Sequence, residues 1–600
     1  MKTYTLILLL FLCSGVGRAQ HSSRVRIQLD AQHSMERLMG LGVAIDHGAY
    51  RAGIDFTADL SAADLALLAK AGYHVDILIR DLLAYYQEMP GPVTSKVAGF
   101  EHPGVPAQFS LGSYGGYFTY HEMLDNLKRM HQLYPELITE LQPIDTFTTA
   151  EGRPLYWLRI SNHAATDQPD KPQALYSALH HAREPGSLSQ LLYYMWYLLE
   201  NYATDEKIKM LIDHTELYFI PCINPDGYMY NIKTFPNKGG DWRKNRRRNA
   251  DGSYGVDLNR NYGMNWGLVS GSSSLPESDL YRGTAPFSEP ETRAVKWFTE
   301  QHRFRVALHH HTYSNVLLYP WGYMRDGTVP EPVLFAGFAT ALTRHNKYRH
   351  GTCMQCLGYS SSGASEDWMY GEQESKQKVY SFTPESGTTF YARAEQIIPD
   401  CIAALPVNIN AAALLLPYAL VQATDTSFKV EADGFLHYRI QNLGLHEPGN
   451  FTVRVTSLDQ GLELTGDSRY YSGMTHLQSL NDSIAYHLAD TVRPGQKLSY
   501  LLQVHNGYYT ETDTVSFYFL KDQPLLSVYP NPTNGWITIK RRMALLPVTA
   551  KLYDMAGRYI MDILLEREYS VVDLRHLVTG TYVLRASRGE FEEQKIQVKR

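Results

Sequence analysis

The sequence predicts an α/β protein with two all-β domains added at its C-terminal end, and three patterns carry that prediction. Two apolar, strand-like runs, Ala174 to Leu179 and Phe304 to Leu308, each break into polar residues, His180-His181-Ala182-Arg183-Glu184 after the first and His309-His310-His311 after the second. Upstream, Arg24 to Met89 alternates short strands with helical stretches. From about Ala419 onward the pattern becomes short alternating runs split by Gly, Asn and Asp, as antiparallel sheets require.

In chain order, Met1-Lys2, the apolar run Leu6 to Leu12 and the small-residue site Gly17-Arg18-Ala19 read as a secretory signal peptide over residues 1–19, cut before Gln20. The run is too short for a stable membrane span, and Leu12 before Cys13 does not fit a lipoprotein box. No later stretch is long and apolar enough to cross a bilayer, so a soluble mature chain with no transmembrane segment is expected.

Residues 20–108 form a small N-terminal α/β segment. Val25 to Leu29 reads as a strand, Asp59-Leu60-Ser61 as the start of a helix running through Leu65, Leu67 and Leu68 to Gly72, and Val75 to Ile79 as a second strand. A Pro/Gly-rich stretch, Pro90-Gly91-Pro92 to Gly104-Val105-Pro106, closes the segment.

The chemistry lies in residues 109–418. His181 and Glu184 offer an imidazole and a carboxylate three residues apart straight after a strand, and His311 ends a second strand far downstream. A catalytic Zn²⁺ takes three such N and O ligands and keeps a fourth position open. Alone, His-x-x-Glu is weak, because a chain with 23 histidines holds about one by chance. A second copy, His33 to Glu36, lacks the strand-to-turn context and reads as an exposed helix pair. For His181 and Glu184 a turn with a polar tip is the competing reading until the later motifs are weighed.

Those motifs follow in order: His181-Ala182-Arg183-Glu184, Asn224-Pro225-Asp226-Gly227, Asp241-Trp242-Arg243, Asp257-Leu258-Asn259-Arg260-Asn261-Tyr262, Pro286-Phe287-Ser288-Glu289-Pro290-Glu291, His311-Thr312-Tyr313-Ser314, Asp367-Trp368 and Tyr380-Ser381-Phe382-Thr383-Pro384-Glu385. Over roughly Tyr114 to Tyr418 the chain resembles the zinc metallocarboxypeptidases of the carboxypeptidase A family. The resemblance implies an α/β fold with a mixed sheet flanked by helices, and one Zn²⁺ held by His181, Glu184 and His311. It makes Glu385 the general base and Arg243 the group that stabilises the oxyanion, both catalytic. It assigns substrate binding to Arg260 with Asn259, which would clamp the terminal carboxylate, to Arg183 as an auxiliary group, and to Tyr359, which would fold over the bound terminus. Aligned on Tyr359 and Asp367-Trp368, Glu366 falls at the pocket base that is acidic in enzymes preferring terminal Lys or Arg. A helix first turn behind a Ser365 cap explains Glu366 equally simply.

Among the three histidines, Thr312-Tyr313-Ser314 selects His311; His309 shares its strand face and is a candidate supporting group, while His310 points away. Lys244 and Arg246 to Arg248 read as a solvated basic face. Two departures from the animal enzymes, Pro384 before the base and Thr312 after the third ligand, remove no reacting group; the Thr-Pro-Glu form is associated with bacterial relatives. The N-terminal segment resembles, in place and size, the activation segment that shields some family members, and a folding or docking domain fits it as well.

Two β domains complete the chain. Residues 419–522, with runs such as Phe435 to Ile440, Phe451 to Val455, Leu498 to Val504 and Val515 to Phe519, suggest an Ig-like β-sandwich. In residues 523–600, Val528-Tyr529-Pro530-Asn531-Pro532, Leu552-Tyr553-Asp554-Met555-Ala556-Gly557-Arg558 and Gly580-Thr581-Tyr582 resemble the C-terminal sorting domain of type IX secretion. That implies a Bacteroidetes-type host, the type IX machinery as a partner, and a secreted or cell-surface protein carried across the outer membrane.

Composition agrees. At 20% charged, 44% hydrophobic and net charge −6, the chain is globular and has no electrostatic footprint for a nucleic-acid partner. Five cysteines make no dense disulfide framework; Cys353 and Cys356 fit a local disulfide or two free thiols. The expected function is a secreted zinc carboxypeptidase acting on peptide or protein C-termini, with terminal Lys or Arg favoured. A cell-wall peptide carboxypeptidase is the alternative within the family, and an inactive carboxylate-binding adhesin the alternative outside it.

Overall fold

The computed structural model describes residues 22–89, 104–268, 271–425, 427–520, 526–541, 548–587 and 591–599. The expected signal peptide and the stretch from Pro90 to Pro103 lie outside them. The chain divides into two compact units, with the division falling between Leu415 and Leu416.

In the first unit, an eight-stranded sheet runs Arg349–Gly351, Val316–Leu318, Tyr380–Glu385, Phe304–His310, Gln173–Ala178, Glu216–Ile220, Pro154–Ile160, Gln142–Thr148. Neighbours from Tyr380–Glu385 to Glu216–Ile220 are parallel, and the far pairs toward Gln142–Thr148 are antiparallel, so the sheet is mixed as expected. Parallel strands need crossovers, and the sequence provides helices for them. Pro185–Asn201 is apolar nearly all round and buries Leu188, Leu191, Leu192, Met195, Trp196 and Leu198, each side chain contributing about 1.5–3 kcal/mol. Pro185 at its first turn has no N–H to waste there.

The chain leaves Gln173–Ala178 to pair Glu216–Ile220 on one side, and the next strand it adds, Phe304–His310, lies on the other. That reversal opens a crevice at the C-terminal ends of adjacent parallel strands. His181 follows the first of these strands, His311 follows the second, and Glu385 ends the strand beyond, bridged to His311.

A separate four-stranded sheet, Ala49–Arg51, Asp55–Ser61, Ser22–Gln28, Val75–Ile79, makes the N-terminal segment. Asp59 and Leu60 belong to a strand, and the helix starts one turn later at Ala62, because Ser61 and Asp64 form a reciprocal capping box. His33 stands before the helix Met35–Gly40 and binds Asp30, so His33 and Glu36 are not a helix pair. The segment's core is continuous with the larger sheet: Val25, Ile27 and Phe56 share one buried cluster with Val316, Leu318, Cys353, Cys356 and Tyr359. Both cysteines are free thiols.

The second unit is all β. Ala419–Ala423, Asp433–Asn442, Ser479–Leu488 and Leu462–Thr465 form one sheet, five strands from Phe428–Lys429 to Ser468–Met474 form another, and a single core joins inward residues of both. The strands alternate buried and exposed residues, as Lys497–His505 shows. A three-stranded and a four-stranded sheet between Leu526 and Val598 enclose the last core, around Ile537, Leu552, Leu584 and Ile596. Among the described residues no helix is long and apolar enough to cross a membrane.

Candidate metal centre and active site

The backbone turns sharply before the first ligand. Leu179 sits at φ 55°, in the left-handed region that a branched residue seldom enters, and redirects the chain from the strand into the His181 turn. Glu184 occupies the N-cap position of the helix Pro185–Asn201 but makes no capping bond. Its carboxylate turns to the histidines instead: Oε1 lies 2.7 Å from His181 Nδ1 and Oε2 lies 2.8 Å from His311 Nδ1.

The two Nδ1 atoms are themselves 3.0 Å apart. At that distance only one can carry a proton, so at least one lone pair faces the other ring. A shared cation relieves this, and two ligands about 2.1 Å from a tetrahedral Zn²⁺ stand roughly 3.4 Å apart. Among the described residues, His181, Glu184 and His311 are the one group of three or more His, Cys, Asp or Glu whose donor atoms converge closely enough for a metal, and all three are buried. Burial alone would raise the Glu184 carboxyl, but His181 and His311 hold it far below the carboxylate range.

Asp257 supports this set. Its Oδ1 faces His181 Nε2 at 3.2 Å and accepts the Asn259 N–H at 3.0 Å, while Oδ2 accepts Arg243 Nε at 3.0 Å and Nη2 at 2.9 Å. A carboxylate on the far nitrogen of a ligating imidazole fixes its tautomer and aims the near one. Against its complete burial, Arg243, Arg260 and His181 keep the Asp257 carboxyl far below its ordinary value. His309 has another role than supporting a ligand: its Nδ1 pairs with Ser177 Oγ at 2.7 Å, inside the sheet. His310 turns into the core beside Tyr176.

The remaining candidates gather around this centre. Glu385 is buried at its strand end, and burial with the nearby Glu184 charge pushes its carboxyl well above the ordinary range despite Arg243. Arg243 Nη1 lies 3.9 Å from Glu184 Oε1. Arg260 closes a short 3-10 turn, Leu258–Arg260, and donates Nη1 to Asn259 O at 2.8 Å; the Asn259 side chain accepts the Ser365 N–H at 2.8 Å. Glu366 is buried in the first turn of the helix Ser365–Gly371, whose N-cap is Ala364 and not Ser365. Burial raises the Glu366 carboxyl, with Arg260 opposing. Gly322 leaves the space in front of it, since a Cβ there would stand 3.2 Å from Glu366 Oε1.

Lys244 and Arg246 are not a solvated face. The Lys244 ammonium is buried and donates to Pro276 O at 2.7 Å and Ser278 O at 3.0 Å, and the Arg246 guanidinium stacks among Tyr230, Trp242 and Tyr254. The aromatic residues interleaved with these charges were the available signal.

The motif reading gave no role to two residues that the structure places at the site: Asp257, which lies inside one of the motifs, and Asp46, which lies outside them all. Asp46 belongs to the N-terminal segment, and its Oδ2 meets Arg243 Nη1 at 2.7 Å and also pairs with Arg183 Nη2. Burial alone would raise its carboxyl, but Arg183, His47 and Arg243 hold it well below the usual range. Gly48 lets the loop fit, because a Cβ at its φ of 144° would fall 2.5 Å from Thr57 O. In the sequence, Asp46 stands out as the one acid in Val43-Ala44-Ile45-Asp46-His47-Gly48. Tyr359 is also covered, buried in the core that the segment shares.

Residues 123–405 match the family model described as zinc carboxypeptidase, and residues 527–599 match one described as a secretion system C-terminal sorting domain. Carboxypeptidase O of Bos taurus is 31% identical over 264 residues, covering 43% of this chain and 67% of that protein. Carboxypeptidase A1 of Rattus norvegicus is 31% identical over 299 residues, covering 48% and 67%. The crystal structure of carboxypeptidase A from Helicoverpa armigera aligns with a TM-score of 0.52 at 23% identity, over 66% of this chain and 98% of that one, which speaks to the fold alone.

Asp257→Asn is expected to weaken metal binding by roughly 10-fold to 100-fold, because the amide cannot serve His181 as the carboxylate does. Competition against a chelator of known affinity measures it; unchanged affinity would show that Asp257 does not tune the site.

Proposed function

The chain belongs to the zinc carboxypeptidase family, and on that premise we propose that it removes C-terminal residues from peptides and proteins outside the cell, with terminal Lys or Arg favoured. The observation that carries the reading is the convergence of His181, Glu184 and His311 beside a buried Glu385 at the ends of three parallel strands. His181, Glu184 and His311 would hold the ion. Bound zinc would supply a Lewis acid and lower the pKa of a water to about 7.

The protein's own groups divide the remaining work. Glu385 takes a proton from the attacking water and returns it to the leaving amine, a task suited to a carboxyl whose hold on a proton burial has strengthened. Arg243, held by Asp257, donates to the carbonyl oxygen as negative charge develops there. Arg260 with Asn259 receives the terminal carboxylate through its guanidinium fork. Glu366 faces the terminal side chain, and a cation there would ionise it and satisfy it.

Domain boundaries follow the same reading: residues 20–108 as a detachable segment, 109–418 as the catalytic domain, 419–522 as an Ig-like sandwich and 523–600 as the address read by the type IX machinery. The segment's Asp46 carboxylate lies on Arg183 and Arg243, where substrate oxygen atoms would bind, and its core covers Tyr359. This supports an inhibitory role, lifted when the segment leaves.

Glu385→Gln is expected to retain zinc while turnover falls on the order of 10²-fold to 10⁴-fold, and His311→Ala to lose the metal. Metal analysis beside kinetics separates the two, and near-normal turnover in Glu385→Gln would refute the assigned base. Terminal Lys or Arg should be released faster than Phe or Leu, with Glu366→Ile reversing the order, since an unpaired buried acid costs about 1–3 kcal/mol. Matched peptides read this through kcat/KM, and a wild-type preference for Phe or Leu would exclude Glu366 as the selector. In the full chain, Asp46→Ala should raise peptidase activity by roughly 10-fold or more, since breaking a buried pair costs about 3–5 kcal/mol; equal activity in both proteins would leave the segment without an inhibitory role.

A further inference from the structure

A small cavity lies between the helices Pro185–Asn201 and Ala394–Ala413 and the turns that follow His311 and Glu385, and the proposed chemistry makes no use of it. Its volume is about 10 Å³, room for one occupant the size of a water molecule. Three side chains on its wall are buried and unpaired. Gln190 Oε1, Thr312 Oγ1 and Ser386 Oγ have no hydrogen-bond partner among the described residues, although the residues are only 2%, 3% and 0% exposed. A buried oxygen left unpaired is costly, and three on one cavity wall point to an occupant that satisfies them.

Two glycines shape the space. A Cβ at Gly186 would stand 3.0 Å from Thr312 Cγ2, so the threonine methyl packs on the helix there and its hydroxyl turns elsewhere. A Cβ at Gly387 would stand 3.2 Å from Asp400 Oδ2. That carboxylate is the one charge on the wall: Oδ1 accepts Gln396 Nε2 at 3.0 Å, Oδ2 turns to Gly387, and no Lys, Arg or His lines the cavity. The Arg24 guanidinium reaches the rim at Thr389 Oγ1, 3.2 Å away, but Asp59 already holds it through Nε and Nη2. Burial accordingly raises the Asp400 carboxyl. A water would serve the three oxygens and leave this charge uncompensated, whereas a cation serves both. Neutral oxygens with a single carboxylate suit a singly charged ion, since Ca²⁺ asks for about 6–8 oxygens and Mg²⁺ keeps several waters, more than this volume holds.

We propose that the cavity is a monovalent-cation site in which Gln190, Thr312 and Ser386 supply neutral oxygen ligands and Asp400 the balancing charge, with Na⁺ or K⁺ as its occupant. The ion braces the neighbouring centre. Ser386 N–H donates to His311 O at 3.1 Å and Ser314 N–H to Gly387 O at 3.0 Å, so the cavity sits on two cross-linked turns, one leaving the third candidate ligand and the other the candidate base. The inference does not depend on the peptidase reading, because no substrate group enters it.

The test uses the full chain. Crystals soaked in Tl⁺, an anomalous scatterer that stands in for K⁺, should show a peak bounded by Gln190, Thr312, Ser386 and Asp400. In solution at fixed ionic strength, the thermal midpoint should stand about 2–4 °C higher in NaCl or KCl than in choline chloride once the salt exceeds the dissociation constant severalfold. Asp400→Asn should abolish that difference. No peak at the cavity, equal midpoints in all three salts, or an ion-specific rise that survives Asp400→Asn would overturn the proposal and leave a water as the occupant.

Discussion

The Asp257 carboxylate is the constraint on which the active site depends. It touches His181 with one oxygen and Arg243 with the other, so one buried charge fixes both an imidazole of the converging candidate ligand group and the guanidinium proposed to meet the developing oxyanion. Such a group is stable only because it is fully paired. A buried carboxylate without partners would be expensive, and this one has an arginine, a histidine and a backbone N–H. The same logic extends outward through Asp46, which links Arg243 to Arg183 as long as the N-terminal segment stays.

The sheet makes this arrangement possible. Gln173–Ala178 and Phe304–His310 pair in parallel, and Tyr380–Glu385 pairs with the latter, so three chain segments distant in sequence end at one level. Short turns then place His181, His311 and Glu385 within reach of one another, and Leu179 accepts a left-handed backbone to do so. Rigid strands below and irregular backbone above is the division of labour expected of a catalytic crevice.

Much of this was legible in the sequence. The His-x-x-Glu after one apolar strand and the histidines ending another announced the three residues that converge in the structure, and the alternating runs after Ala419 announced the β sheets. What was not legible depends on contacts between distant segments. Asp46 has no motif of its own, and its role exists only where the N-terminal sheet meets two arginines more than a hundred residues away. Lys244 and Arg246 read as surface charge because the carbonyls and rings that bury them come from other loops. Ser365 resembled a helix cap, yet the helix begins one residue earlier and its backbone N–H is used by Asn259.

Recognition of a chain end and cleavage of the last peptide bond are what the proposed site must perform. The most direct test is product mass from two peptides of one sequence, one ending in a free carboxylate and the other amidated, each treated with the protein recovered from culture medium. The free peptide should lose single residues stepwise and its amidated twin none. Equal cleavage of both, or cleavage at internal bonds, would contradict it.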